Sequence, residues 1–246
     1  MMQKFKKDYL IRSAECDKKG CLRLRSLFNL FQNSADLNAE ELGFGYTFCL
    51  TNKLTWMGTS YSVKINRLPT RDETVTLYTW PVASSSITAE RDFEMKDSAG
   101  NTLITAVSHW ALIDLNRLRP VSVQKYLTGF NLPHPSLLQE PYKKILLPSD
   151  FLVTTDEIIR QDDIDINHHV NNAVYPSLIL DAFEESFLNT HTLKELQVQF
   201  KTGATKENKV AIFTKIEDNT SYHLIATPDK AIEFARVSAL WAYKEE

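Results

Sequence analysis

Residues 62–80, SVKINRLPTRDETVTLYTW, and residues 197–215, QVQFKTGATKENKVAIFTK, carry one pattern written twice in a chain of 246 residues. They align without a gap at an offset of 135, which sets Val75 on Val210. In each copy apolar residues alternate on both sides of a polar loop: Val63, Ile65, Val75 and Leu77 in the first, Val198, Phe200, Val210 and Ile212 in the second. Alternation at period two marks half-buried strands, so both stretches predict strand, turn, strand. A second hairpin follows each. TAERDFEMKDSAGNTLITAVSHWALI from Thr88 parallels SYHLIATPDKAIEFARVSALWAY from Ser221, with turn residues at Asp97–Asn101 and Thr227–Lys230 and Trp110 opposite Trp241.

Upstream of the strands each half predicts one helix. In LRLRSLFNLFQNSADLNAEELGF, residues Leu24, Leu27, Phe28, Phe31, Ala35, Ala39 and Leu42 recur every three or four positions and give a wide apolar stripe. The second candidate, NNAVYPSLILDAFEESFL, starts near 173–175, with Pro176 in the first turn where a missing N–H costs little. The fold class expected is therefore α+β: a long helix wrapped by an antiparallel sheet, present twice, with the halves paired by a pseudo-two-fold and ligands between them. The boundaries expected are an N-terminal domain over 1–125, a linker over 126–149 with four prolines in NLPHPSLLQEPYKKILLPSD, and a C-terminal domain over 150–246. A homodimer stays open.

Composition removes several classes of function. The formal net charge is −3 and 24% of residues are charged, so no global field gathers nucleic acid. No apolar run is long enough for a membrane span, and MMQKFKKDYL lacks the apolar core of a secretory signal. Cys16, Cys21 and Cys49 fit no zinc spacing, and GFGY at 43–46 fits no nucleotide loop. The reading is a cytoplasmic chain that needs no metal and no cofactor.

The copies differ in chemistry. Setting ECDKKGCLRLRSLFNLF on DIDINHHVNNAVYPSLI, at an offset of 148, places Asp17 on Asp165, Lys19 on Asn167 and Cys21 on His169. Catalytic polar groups are thus concentrated in the second copy, which predicts one site per chain. If the segment is extended, Asp165, Asn167 and His169 point to one side, and the helix start behind them offers backbone N–H groups to an oxyanion. As an imidazole, His169 suits a general base, with Asp165 or Asn167 orienting the ring or a water. The plainer alternative is a polar cap before a helix, with Asn171 or Asn172 as N-cap. His168 is expected to face solvent, and His109, His134, His191 and His223 to be structural. A Cys21–His nucleophile is the other chemistry weighed.

DIDINHHVNNAVY resembles the D-x-N-x-H-V-N-N signature of the acyl-acyl carrier protein thioesterases, and the likeness runs through AEELGFGY, LTWMGTSYSVKINRLPTRDETVTLYTWP, ERDFEMKDSAGNTL and SHWALIDLNRLRPV. That resemblance, of a bacterial type with no transit peptide, implies two tandem hot-dog domains and hydrolysis of fatty acyl-carrier protein by water. It implies Asp165, Asn167 and His169 as the catalytic residues, and acyl carrier protein as the partner. It also implies that the first half shapes the acyl-chain pocket, for which Phe28, Phe31, Trp56 and Met57 are the candidates. Many plant members carry Glu-Cys where this chain has Gly203 and Ala204, so a cysteine nucleophile has no residue there and direct attack by water is favoured. Glu207 reads as a solvated loop charge. An acyl-coenzyme A thioesterase and a non-catalytic acyl-binding hot-dog protein are the alternatives carried.

Overall fold

A computed structural model describes residues 4–82, 87–126, 134–137, 143–157 and 159–244. The chain forms two compact units, Met1–Tyr142 and Lys143–Glu246. Half of the expected linker, residues 127–133 and 138–142, lies outside the described residues. The parts of it that are described are tied down, each within its own unit. The Leu137 amide donates to Asp92 at 2.6 Å, while Ile145 is buried and Leu147 packs on Ala211, Phe213, Leu224 and Ala226.

The first unit runs β1 (Phe5–Leu10), α1 (Leu24–Glu41), α2 (Tyr46–Asn52), β2 (Leu54–Ile65), β3 (Thr74–Val82), β4 (Thr88–Lys96), β5 (Thr102–Asp114), β6 (Arg119–Val121) and α3 (Val123–Tyr126). Its antiparallel sheet has the order β1-β3-β4-β5-β2, with β6 beside β5. Helix α1 covers one face, as its stripe predicts. Leu24, Leu27, Phe28, Phe31 and Ala35 are buried, each large side chain contributing about 1.5–3 kcal/mol. Phe31 meets Phe93 at 4.8 Å and Tyr61 at 6.3 Å between centroids. Further along, the stripe turns polar. Ser34 and Asn38 are buried, Ser34 bonded to the Tyr9 hydroxyl at 2.8 Å and Asn38 accepting from the Arg91 guanidinium at 2.8 Å. Ala39 and Leu42 are only half-buried. The helix stops at Gly43, whose φ of +83 suits a residue without a β-carbon.

The second unit runs β7 (Leu152–Glu157), α4 (Tyr175–Leu178), α5 (Glu185–Thr190), β8 (His191–Phe200), β9 (Val210–Glu217), β10 (Thr220–Ala226) and β11 (Glu233–Tyr243). Its sheet has the order β8-β11-β10-β9-β7, antiparallel throughout. The second hairpin expected in each unit is present, β4 with β5 and β10 with β11. The first is not: its strands form but do not pair with each other, β2 lying beside β5 while β3 lies beside β4, and β8 lying beside β11 while β9 lies beside β10. The long second helix does not form either. Four residues of α4 pass into a 3-10 turn at Ile179–Ala182, and Phe183 then adopts an extended φ of −115 before α5 begins. Tertiary packing holds this break. The Phe183 ring stacks on Phe187 at 4.6 Å and stands edge-on to Trp241 of β11 at 4.9 Å and His223 of β10 at 5.7 Å, so the sheet holds it in place. Among the described residues, no helix is long and apolar enough to cross a membrane.

Candidate active site

The repeat extends to hydrogen bonds. In each unit a 3-10 turn, Ser13–Glu15 or Gln161–Asp163, is closed by a carboxylate that accepts the Arg12 or Arg160 amide, at 2.9 and 2.8 Å. A tight turn follows. The Asp17 amide donates to the Cys21 carbonyl at 2.8 Å, as the Asp165 amide does to His169, and the Gly20 amide donates to Asp17 at 3.0 Å, as His168 does to Asp165. A bridge closes each turn, Cys16 with Leu22 and Ile164 with Val170. The residue at the crest is left-handed in both: Gly20 at φ +77, His168 at φ +63.

The expectation of an extended Asp-x-Asn-x-His segment therefore gives way to a turn, because the aspartate side chain folds the backbone around itself. Asp165 Oδ1 accepts the Asn167 amide at 2.7 Å and, at the 3.5 Å limit, that of His169. Asp17 Oδ1 does the same for Lys19 at 2.8 Å and Cys21 at 2.9 Å. An acid that makes these bonds in a copy with no imidazole is an organiser of the turn. What separates the copies is what the turn presents: Asn167 and His169, both exposed. The Asn167 amide nitrogen reaches Asp165 Oδ2 only at 3.5 Å, too long for a firm bond. The described residues offer the His169 ring nitrogens no hydrogen-bond partner, so the expected Asp165-to-ring contact is absent.

The helix start behind the turn differs from expectation too. Asn171 Oδ1 accepts the Ala173 amide at 2.8 Å and its carbonyl accepts that of Val174 at 2.9 Å. Two of the amides expected for an oxyanion are thus occupied, and the four residues of α4 carry little dipole. Asn171 ties a turn rather than standing at the N-cap, which falls on Val174.

Ahead of β9, the segment at 203–204 lies against this turn. The Val170 amide donates to the Ala204 carbonyl at 2.8 Å, and the Ala204 amide donates to the hydroxyl of buried Tyr175 at 3.1 Å. Tyr175 was not signalled by any motif in the sequence. A cavity of about 20 Å³, lined by Tyr175, Ala204, Asp163, Val170, Val174 and Leu178 among others, has room for a single water.

The remaining candidates separate. Phe28 and Phe31 are buried under α1; Trp56 donates to the Phe44 carbonyl at 2.8 Å and packs with Cys49, Leu54, Leu112 and Val123; Met57, on the opposite side of β2, is 45% exposed. The four do not form one pocket wall. His223 is buried between Thr214 and Ser221 hydroxyls, both at 2.9 Å, and burial pushes its pKa down to about 3, which makes it a structural neutral imidazole. His109 spans Ser60 at 3.2 Å and Glu90 at 3.3 Å. His168 is exposed, as expected, and so is Glu207. Burial pushes the Cys49 thiol up to about 11 and raises that of Cys16, so neither is a ready thiolate. Among the described residues no group of three or more His, Cys, Asp or Glu side chains is arranged to hold a metal ion.

Two family models cover the chain: the acyl-ACP thioesterase N-terminal domain over residues 2–129 and the acyl-ACP thioesterase C-terminal domain over residues 154–241. The chain belongs to the acyl-ACP thioesterase family. As a family member it is 28% identical over 227 residues to the chloroplast acyl-ACP hydrolase FATB1 of Cuphea viscosissima, across 85% of this chain and 53% of the plant protein. It is 26% identical over 233 residues to the chloroplast oleoyl-acyl carrier protein thioesterase 2 of Arabidopsis thaliana, across 87% and 63%. The chain thus spans roughly half to two-thirds of the length of these curated relatives. The fold of this family member matches an acyl-ACP thioesterase from Bacteroides thetaiotaomicron with a TM-score of 0.87 at 20% identity, covering 97% of this chain and 98% of the other. The fold is of the hot-dog type in both units.

Proposed function

We propose that the protein hydrolyses fatty acyl-acyl carrier protein to free fatty acid and carrier protein, with Asn167 and His169 as its catalytic residues and Asp165 as the acid that shapes their turn. The observation that carries this reading is the pair of matched turns, of which only the second presents an imidazole and an amide to solvent. His169 takes a proton from water as the water oxygen attacks the thioester carbonyl carbon. The Asn167 side-chain N–H steadies the oxygen that becomes negative. The tetrahedral intermediate then expels the thiolate, which recovers the proton from the imidazolium. General-base assistance of this kind contributes about 10²- to 10⁴-fold, and a single well-placed oxyanion donor about 10²- to 10³-fold.

The chain partner is acyl carrier protein, and the N-terminal unit, with its buried aromatic cluster around Phe28 and Phe31 and the less buried Trp56 and Met57, is the unit proposed to receive the acyl chain. The test is release of free acid and thiol from matched acyl-carrier-protein and acyl-coenzyme A thioesters. Faster turnover of the carrier-protein thioester supports the reading. Preference for coenzyme A would reassign the substrate, and binding of both without turnover would make the chain an acyl-binding protein.

A further inference from the structure

Left-handed glycines and crowded glycines answer to different demands, and this chain contains both. Gly20, Gly43 and Gly100 have φ between +77 and +87, with open space where a β-carbon would stand. Gly203, in the segment KTGATKEN ahead of β9, is the reverse. Its backbone is in a region any residue adopts, yet a β-carbon there would lie 2.7 Å from His169 Cδ2, 3.0 Å from Cγ and 3.4 Å from Cβ. Carbon atoms do not approach to 2.7 Å without strong repulsion. The main chain of Gly203 is therefore the surface on which the His169 imidazole lies.

The backbone on both sides of this contact is held. Ala204, the next residue, is wholly buried and is held at both backbone groups, its carbonyl by the Val170 amide at 2.8 Å and its amide by the Tyr175 hydroxyl at 3.1 Å. On the other side, His169 has its carbonyl tied to the Asp165 amide at 2.8 Å. A new side chain at 203 would thus be accommodated by rotation of the imidazole about its side-chain bonds. The ring meets this position through Cδ2 and Cγ, carbon atoms rather than either ring nitrogen.

We propose that Gly203 is a positioning residue for His169: the absent side chain forms the seat that sets the ring's orientation, in place of a polar partner on the ring nitrogens. The inference rests on His169 being the base of the proposed hydrolysis. It ties glycine at 203 to the ring placement of this chain, at a position where many plant members carry Glu, and it gives the position a function without a side chain.

The experiment combines ¹H–¹³C NMR of histidine-labelled protein with kinetics on acyl-carrier protein for Gly203→Ala, His169→Ala and the double variant. In the wild type a nuclear Overhauser contact between Gly203 Hα and His169 Hδ2 is expected; its absence overturns the seat whatever the activity. Gly203→Ala is expected to lower kcat about 10- to 100-fold with little change in KM, the effect of displacing a reacting group by about 1 Å. It should also lower the melting temperature, and that loss should vanish in the His169→Ala background, where no ring is left to collide. Full kcat in a folded Gly203→Ala overturns the positioning role while leaving the catalytic reading intact. Full activity in His169→Ala overturns the catalytic reading and the positioning role with it, the Overhauser contact then being packing alone. If Gly203→Ala does not fold alone but the double variant does, the seat is supported.

Discussion

The claim that Asp165 organises a turn, rather than sharing in proton transfer, is tested by substituting it and its counterpart Asp17 in parallel. Asp165→Ala removes the acceptor of one short amide bond at 2.7 Å and one marginal bond at 3.5 Å. Asp17→Ala removes two short ones at 2.8 and 2.9 Å. Hydrogen bonds to a carboxylate contribute about 1.5–3 kcal/mol when well formed, and less where solvent competes. In these half-exposed and exposed turns each substitution should cost about 1–2 kcal/mol, Asp17→Ala at least as much as Asp165→Ala. For a chain of this size that is roughly 2–4 °C of melting temperature per kcal/mol. Activity should divide the pair. Asp165→Ala loosens the turn that carries Asn167 and His169, with a fall in kcat/KM of about 10- to 100-fold, whereas Asp17→Ala leaves hydrolysis unchanged. Asp165→Asn decides the matter because it keeps an Oδ1 acceptor and discards the charge: stability and most of the activity should return. Calorimetry and initial rates on acyl-carrier protein read both quantities. A folded Asp165→Asn as inactive as Asp165→Ala would refute the reasoning and give the carboxylate charge a direct part in catalysis.

Three further outcomes follow from the geometry. His168 sits at φ +63 where the first copy has Gly20 at φ +77, so His168→Gly relieves backbone strain of order 1 kcal/mol and should raise or preserve the melting temperature with full turnover; lost turnover would place His168 in the chemistry. Asp92 has its pKa raised to about 7, first by burial and in opposition to the Leu137 amide bond. A carboxyl whose folded pKa is raised favours the fold most below its unfolded pKa near 4, and that contribution is lost as pH climbs through about 7. Urea midpoints of Asp92→Asn should accordingly gain on the wild type from pH 4 to pH 8, and a mutant that loses ground over that range would contradict the assignment. Cys21→Ala should retain full hydrolysis, and iodoacetamide near pH 8 should label Cys21 ahead of the more buried Cys16 and Cys49; an inactive, folded Cys21→Ala would revive the thiol nucleophile.

Much of this architecture is legible as text because strands announce themselves locally. Val63, Ile65, Val75 and Leu77 alternate in sequence and all four are buried; 135 positions later Val198, Val210 and Ile212 are buried too, and Phe200 is half-buried. The first helix is equally plain up to Ala35. Its last turns are not, since buried Asn38 is explained only by Arg91 from β4, a contact across 53 positions. The second helix departs from its helical spacing for a related reason. NNAVYPSLILDAFEESFL has helical spacing throughout, and only the arrival of Trp241 and His223 against Phe183 breaks it; local propensity yields to tertiary packing. Within the site, the Asp-x-Asn-x-His spacing located the turn and the residues it presents, but suggested an extended segment. The corrective signal was already in the sequence: Asp17 persists in a copy without the histidine, which marks the acid as a backbone organiser. Gly203 was visible as an absence, and its contact with the His169 ring is a matter of three-dimensional approach that no spacing encodes.

The most direct test of the account compares steady-state hydrolysis of acyl-carrier protein by the wild type and by a folded His169→Ala. The account predicts a fall in kcat of about 10²- to 10⁴-fold with KM little changed; wild-type turnover in the folded variant would contradict it.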